Sequence, residues 1–292
     1  MSDWAEEKEA SDPKTDPERQ RELARSIDWH IRRAVASNAS IPVELLGLLA
    51  RDPVQWVREA VAGNARTPLD LLTRLADDKD GFVRASVALN QNTTPDLLSM
   101  LAGDEMMDYD STLSKNRYLV KEAVGRNRNS PEDVLEFLSG DQDEHVRASA
   151  ASNPGMPEDA FSRLSRDISW LVRERVAQNP STPDEVRNYL AEDRIQDVRA
   201  AVAGSLYASK EALAKLAHEK AWEVRECVAR NPHASQELLE ALSSHWSWKV
   251  REAVAENPNT GRSALDRLAQ DPDQSVSKAA RRRQEPGLEP YR

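Results

Sequence analysis

One cysteine, Cys227, stands in 292 residues. No intrachain disulfide and no cysteine-rich metal site can be assembled from a single thiol. Glycine is scarce, at ten, and there are three phenylalanines. No glycine-rich phosphate loop is present, and the β-branched runs of a sheet protein are missing. No stretch of ~18 residues is apolar throughout, so no segment reads as membrane-spanning. The opening "MSDWAEEKEASDPKTDPE" has no apolar signal core. Basic charge is not in excess: 40 Lys and Arg against 50 Asp and Glu leave a net charge of −10. That balance argues against nucleic acid or an anionic membrane as the default partner. The histidines, at 30, 145, 218, 233 and 245, show no paired metal-ligand spacing, and "HEKAW" at 218–222 lacks the second histidine of a zinc-protease helix. No nucleophile elbow occurs, and the carboxylates recur with a period, so no single acid–base couple stands out. No catalytic residue, metal or cofactor is expected, and cytoplasm is the simplest location.

What the chain does have is a period. A valine or isoleucine falls at 31, 57, 83, 120, 146, 172, 198, 224, 250 and 276, followed by arginine or lysine through 250, and every interval is 26 residues except one of 37. A fixed interval in this range marks a stacked repeat architecture. With that residue as zero, asparagine stands at plus seven (38, 64, 90, 127, 153, 179, 231, 257), and Ser205 is the one break. Each repeat reads as two short helices. "TPLDLLTRLA" has threonine as N-cap and proline at the first helical position. "DPVQWVREAVAGN" has aspartate as N-cap and ends on an asparagine suited to a left-handed residue. Apolar positions at zero, three, four and seven form one buried stripe. Helices of about ten residues are marginal alone, so the repeats are expected to be stable only when stacked.

The pattern "VRxAVAxNPxTPxxLLxxLAxDP" resembles the leucine-rich repeat variant, a relative of HEAT-type helical repeats, over roughly residues 20–283. The resemblance implies an all-α, right-handed helical-repeat solenoid of about nine 26-residue two-helix units, with one helix of each pair tending towards 3₁₀ geometry. A founding member of that family carries an iron–sulfur cluster on a cysteine-rich segment, which one cysteine cannot reproduce. The expected organisation is a disordered acidic segment over 1–15, the solenoid over 16–283 with an 11-residue insertion near 105–118, and a flexible tail over 284–292.

The arginines follow acids by six residues: Asp52 and Arg58, Asp78 and Arg84, Asp141 and Arg147, Asp167 and Arg173, Asp193 and Arg199. HEAT-like repeats use such a spacing for a ladder of acid–arginine contacts between neighbours, and arginine's fork suits several acceptors. These arginines are therefore expected to be architecture, with function lying where the repeats differ. On a helical wheel, minus two, plus two and plus six lie opposite the apolar stripe. Minus two and plus two pair Tyr118 with Glu122, Trp170 with Glu174, Trp222 with Glu226 and Trp248 with Glu252, each four apart on one face. One reading is packing between repeats. The other is a concave groove of aromatic platforms and carboxylates for a peptide with cationic side chains. Three further departures stand out. The insertion "EMMDYDSTLSKNRY" is expected to protrude as a partner contact or to lengthen the next helix. "GSLYAS" at 204–209 exposes Leu206 or Tyr207, or bends the array. Arg175 stands at a small-residue position, and Cys227, at the same position of its repeat, is expected to be buried core.

The expected function is a non-enzymatic scaffold that binds a protein or peptide on its concave surface, with no nucleic acid or membrane partner. The alternative is a HEAT-like DNA-binding protein or alkyl-base DNA glycosylase, in which aromatic residues and a carboxylate would cradle a damaged duplex.

Overall fold

The computed structural model describes residues 4–110 and 115–284, in two compact bodies divided after Pro157. In the N-terminal body, helices of eight or nine residues alternate with helices of seven: α1 (Trp4–Ser11), α2 (Pro17–Leu23), α3 (Trp29–Ser37), α4 (Val43–Leu49), α5 (Gln55–Gly63), α6 (Leu69–Leu75), α7 (Gly81–Leu89) and α8 (Pro95–Leu101). A hairpin of β1 (Asp108–Asp110) and β2 (Lys115–Arg117) follows, then α9 (Leu119–Arg126), α10 (Glu132–Leu138) and α11 (Glu144–Ala151). The C-terminal body repeats the alternation through α12 (Glu158–Leu164), α13 (Trp170–Gln178), α14 (Asp184–Leu190), α15 (Gln196–Gly204) and α16 (Lys210–Leu216). It ends with α17 (Trp222–Arg230), α18 (Gln236–Leu242), α19 (Trp248–Glu256), α20 (Arg262–Leu268) and α21 (Gln274–Gln284).

The fold is an all-α helical-repeat solenoid. Within each body the longer helices pack side by side in one layer, and the shorter helices form the other. Both helices of every pair are α; among the described residues none is 3₁₀. The core between the layers is made of Val57, Val61 and Ala62 from a long helix and Leu71, Leu72 and Leu75 from the next short one, and their counterparts. Burying a Leu or Val side chain contributes about 1.5–3 kcal/mol. These contacts, rather than propensity, hold helices only seven residues long. Residues 4–11, expected inside an unfolded acidic segment, form α1, which packs on α3 as the long helix of a first repeat. The insertion does not lengthen the following helix: α9 has eight residues, against nine in α5 and α7.

The recurrent polar residues do other work than capping. Asn64 closes α5 in extended, not left-handed, geometry (φ −73°, ψ 127°). Its carboxamide nitrogen donates to the carbonyls of Ala36 (2.7 Å) and Asn38 (3.1 Å) in the preceding repeat, and its oxygen accepts the Arg66 backbone N–H. Asn38, Asn90, Asn127, Asn153, Asn231 and Asn257 repeat that three-way bond. Thr67 is not an N-cap: it is buried, and its hydroxyl donates to the Val61 carbonyl. Buried backbone carbonyls need such donors, since an unpaired one costs about 1–3 kcal/mol.

The arginines form a second ladder, with a pairing other than the one expected. Arg58 donates to the backbone carbonyl of Asp52 (2.9 Å), while its Nε and Nη2 grip the Asp78 carboxylate at 2.6 and 2.9 Å. The side-chain partner therefore lies twenty residues ahead, not six behind. Asp52 gives its own carboxylate to Arg32 and accepts the Val54 N–H in place of capping the helix. Arg84 with Asp104, Arg173 with Asp193, Arg199 with Glu219 and Arg251 with Asp271 follow the same rule. Arg147 takes the Asp141 carbonyl, and that carboxylate accepts from Lys121. Asp167 likewise gives its carbonyl to Arg173. Burial alone would push Asp52, Asp78, Asp193 and Asp271 up. The guanidinium hydrogen bond, the N–H two residues on and the positive charge together hold them below the usual carboxylate range.

One rung is altered. The acid position facing Arg225 is His245, which is buried. Its Nδ1 accepts the Ser247 N–H, as an aspartate would, but its Nε2 has no partner. Burial, together with Arg225 and Arg251, pushes its pKa down, so it stays neutral. Arg225 is left with backbone carbonyls of His218 and Glu219.

Two outcomes follow. Arg173→Ala strands the Asp193 carboxylate and lowers stability by about 3–5 kcal/mol. A double-mutant cycle by denaturant melts should find a larger coupling with Asp193, which is hydrogen-bonded, than with the Asp167 side chain, which acts on Arg173 by charge alone. Because the ladder carboxyls are depressed, their stabilisation is complete above the unfolded carboxylate pKa and is lost as pH falls through the folded values. Conversely, His245→Asp completes a rung and should raise stability at neutral pH by about 1.5–3 kcal/mol; an unchanged or lower melting temperature would contradict it.

Candidate functional site

The four aromatic–carboxylate pairs differ in what already holds them. In the N-terminal body, Glu122 is 2% exposed. Arg117 from the hairpin and Arg126 from its own helix hold it, so it is a structural anchor rather than a ligand group. Tyr118 immediately precedes α9, and the Lys121 ammonium lies 5.2 Å from its ring centroid. Burial pushes the Lys121 pKa down, but the bonds to Asp141 and Glu105 outweigh it, so this cation is committed as well. Trp56 and Phe82 pack against each other with ring centroids 6.0 Å apart.

In the C-terminal body, Trp170, Trp222 and Trp248 each open a long helix, and the three differ in what covers them. The Lys249 ammonium sits 4.8 Å from the Trp222 ring centroid and 6.0 Å from that of Trp248, so this pair of indoles already holds a cation. Glu226 is bound by Arg230 at 2.9 Å, and Arg230 also reaches Glu256 at 3.1 Å. The Glu252 carboxyl is pushed up by burial and by Glu256. Trp170 is 45% exposed, and its partner Glu174 has only a long 3.4 Å contact from the Gln178 amide.

Trp170 and Glu174 form one wall of a cavity of about 640 Å³ on the outer face of α13, α15 and α17. Its floor exists because α15 carries almost no side chains there: Ala200, Ala201 and Gly204 occupy it. A methyl group built on Gly204 would meet nothing within 4 Å. Asp197 adds a second carboxylate, and Leu206 and Tyr207 close the far end. Cys227 is not core: it is half-buried and lines the same cavity, with burial and then Glu226 pushing its thiol up, so it remains protonated. Arg175 turns to Gln178, at 3.0 Å, and does not line the cavity.

The cavity lies where the asparagine ladder is interrupted. By the pattern of Asn231, an asparagine at 205 would donate to the carbonyls of Ala177 and Asn179, whereas the Ser205 hydroxyl accepts the Tyr207 N–H of its own turn. Arg187 supplies one of the missing donors. It stands on α14 where other short helices bury a leucine (Leu72, Leu98, Leu213), and it is 3% exposed. Its Nη2 donates to the carbonyls of Asn179 (3.0 Å) and Pro180 (3.2 Å), and its guanidinium lies 5.5 Å from the Tyr207 ring centroid. Burial pushes the Arg187 pKa down, against the pull of Asp184. A buried arginine, a serine and an exposed Leu206–Tyr207 turn thus form one linked replacement. Leu206 and Tyr207 were legible in the sequence as a departure; Arg187 was missed, and its signal was a charged residue at a leucine position.

Among the described residues no group of three or more His, Cys, Asp or Glu side chains is placed to hold a metal ion, and no helix is long and apolar enough to cross a membrane.

Residues 29–54, 56–80 and 248–273 match a family model described as leucine rich repeat variant. The chain is similar to a solved leucine-rich repeat variant described as having a novel repetitive structural motif, with a TM-score of 0.53 and 23% identity over 80% of this chain and 88% of that one. It is also similar to an engineered protein, at TM-score 0.36 and 18% identity over 96% of this chain and 98% of that one. Against importin beta the TM-score is 0.31, with 13% identity over 90% of this chain and 39% of that one. Comparison with curated protein sequences gives no match. The first likeness carries the fold.

The exchange at 187 and 205 is testable by a double-mutant cycle. Arg187→Leu alone should cost about 1–3 kcal/mol by leaving the Pro180 carbonyl unpaired and the Asn179 carbonyl with only the Thr182 N–H. Arg187→Leu combined with Ser205→Asn should recover the parent stability or exceed it in denaturant melts. Additive losses would show that the two positions are unrelated.

Proposed function

We propose that this chain of leucine-rich-repeat-variant units is a non-enzymatic scaffold that binds a protein or peptide through cationic side chains on the outer face of its long helices. The observation that carries the proposal is the cavity on α13, α15 and α17. It offers an exposed indole and two carboxylates, Glu174 and Asp197, with no basic residue in its lining. By contrast, Glu226, four residues after Trp222 in the same body, is matched by Arg230. Unmatched acid beside an aromatic face attracts a cation by charge and by the ring quadrupole together. The same carboxylates, on a chain of net charge −10, repel a phosphate backbone. This disfavours the DNA-binding alternative.

A pool of ten-residue peptides rich in Lys and Arg, an acidic pool and a DNA duplex, each passed over the immobilised chain, test the reading. The basic pool should be retained, and retention should fall as salt rises. Glu174→Lys should weaken it by about tenfold, or ~1.4 kcal/mol. Retention of the acidic pool, or of duplex in preference to peptide, would overturn the proposal.

A further inference from the structure

We propose that the cavity on α13, α15 and α17 is a pocket for one lysine side chain, presented by an extended segment of a partner protein. The proposal rests on the reading of this face as a cation-binding surface and specifies its ligand. Its ground is a comparison of two corresponding places in the same layer. Trp222 stands two residues before Val224, and the residue that covers its ring is Lys249, directly before Val250 in the next repeat. Trp170 stands two residues before Val172, and the residue in the corresponding place is Asp197, directly before Val198. At Trp222 the chain supplies its own ammonium. At Trp170 it supplies a carboxylate in that place, adds Glu174 on the helix of the indole, and leaves a cavity above.

The floor fits the rest of a lysine. Ala200, Ala201 and Gly204 give a shallow apolar track for a four-carbon stem while the ammonium reaches the acids. An ammonium is a compact charge with three rotatable donors, so it can contact two carboxylates and a ring from one position. The Tyr207 ring in the lining already has the Arg187 guanidinium 5.5 Å from its centroid, whereas the Trp170 indole carries no cation among the described residues. An extended segment advances ~3.3 Å per residue, so one side chain enters while its neighbours cross the adjoining repeats.

Cys227, the chain's one cysteine, lines the cavity and reports its occupancy. The test is the rate at which the thiol reacts with methyl methanethiosulfonate. The probes are Nα-acetyl-lysine methylamide, its Nε-acetylated form and Nα-acetyl-arginine methylamide. The lysine probe should slow the reaction severalfold in a saturable way, and the Nε-acetylated and arginine probes should not. Asp197→Lys should place an ammonium over Trp170 as Lys249 lies over Trp222. It should remove the response to the lysine probe. Gly204→Met, whose Cβ meets nothing within 4 Å and which favours the helix, puts a side chain over the floor; it should abolish the response while the fold, followed by circular dichroism, is unchanged. Equal protection by the Nε-acetylated or arginine probe, or an undiminished lysine response in Asp197→Lys, would overturn the lysine pocket. If basic peptides still bind the chain in that case, the broader reading of the face survives. If they do not bind at all, both fall.

Discussion

The asparagine that follows most of the long helices is the contact on which the stack depends. Its carboxamide has two donors and an acceptor, and the turn asks for that set: two inward carbonyls of the preceding repeat and one N–H of its own turn. Serine at 205, by contrast, uses its hydroxyl only within its own turn. Since the donors and the acceptors lie in different repeats, no repeat satisfies its backbone until a neighbour is in place. This couples helices of seven and nine residues that would not persist alone. At the C-terminal end the donor is Arg283, whose Nη2 reaches the carbonyls of Asn257 and Pro258. The basic run at 281–283 therefore contributes at least one residue to closing the stack.

A second set of contacts runs through the arginines. Each guanidinium divides itself between a carbonyl of its own turn and a carboxylate of the next, and each carboxylate also takes the N–H two residues on. An acidic chain can bury arginines such as Arg58 and Arg173 in this way because each meets an opposite charge with several hydrogen bonds. Two rungs depart from the pattern: Lys121, which shares its ammonium between Asp141 and Glu105 beside the insertion, and His245, which keeps the backbone bond of an aspartate and gives up its charge.

One linked set of departures from the repeat lies around the cavity. Ser205 removes a donor, Arg187 restores it from the core, and the altered turn brings Leu206 and Tyr207 to the surface beside α15, whose outer face is reduced to alanine and glycine. A repeat array can accommodate such a change locally because each repeat touches only its neighbours. Breaks in an otherwise consistent pattern are where function is expected.

The period, the two-helix unit and the buried leucines and valines were readable in the sequence, because burial recurs with helical spacing and stacking recurs with the repeat. That asparagine and arginine were structural was also readable from their recurrence. Their partners were not. A spacing of six residues shows that Asp52 lies near Arg58 but not whether its carboxylate or its carbonyl is used, and the carboxylate goes to Arg32. Helical phase likewise placed four aromatic residues four before four acids. It could not show that Arg117 consumes Glu122 and that Lys249 covers Trp222, because those cations arrive from the hairpin and from another repeat. Local sequence determines which face of a helix a side chain occupies. Only the tertiary structure decides what lies across from it, and the free energy of a charge or an aromatic ring is set by that neighbour.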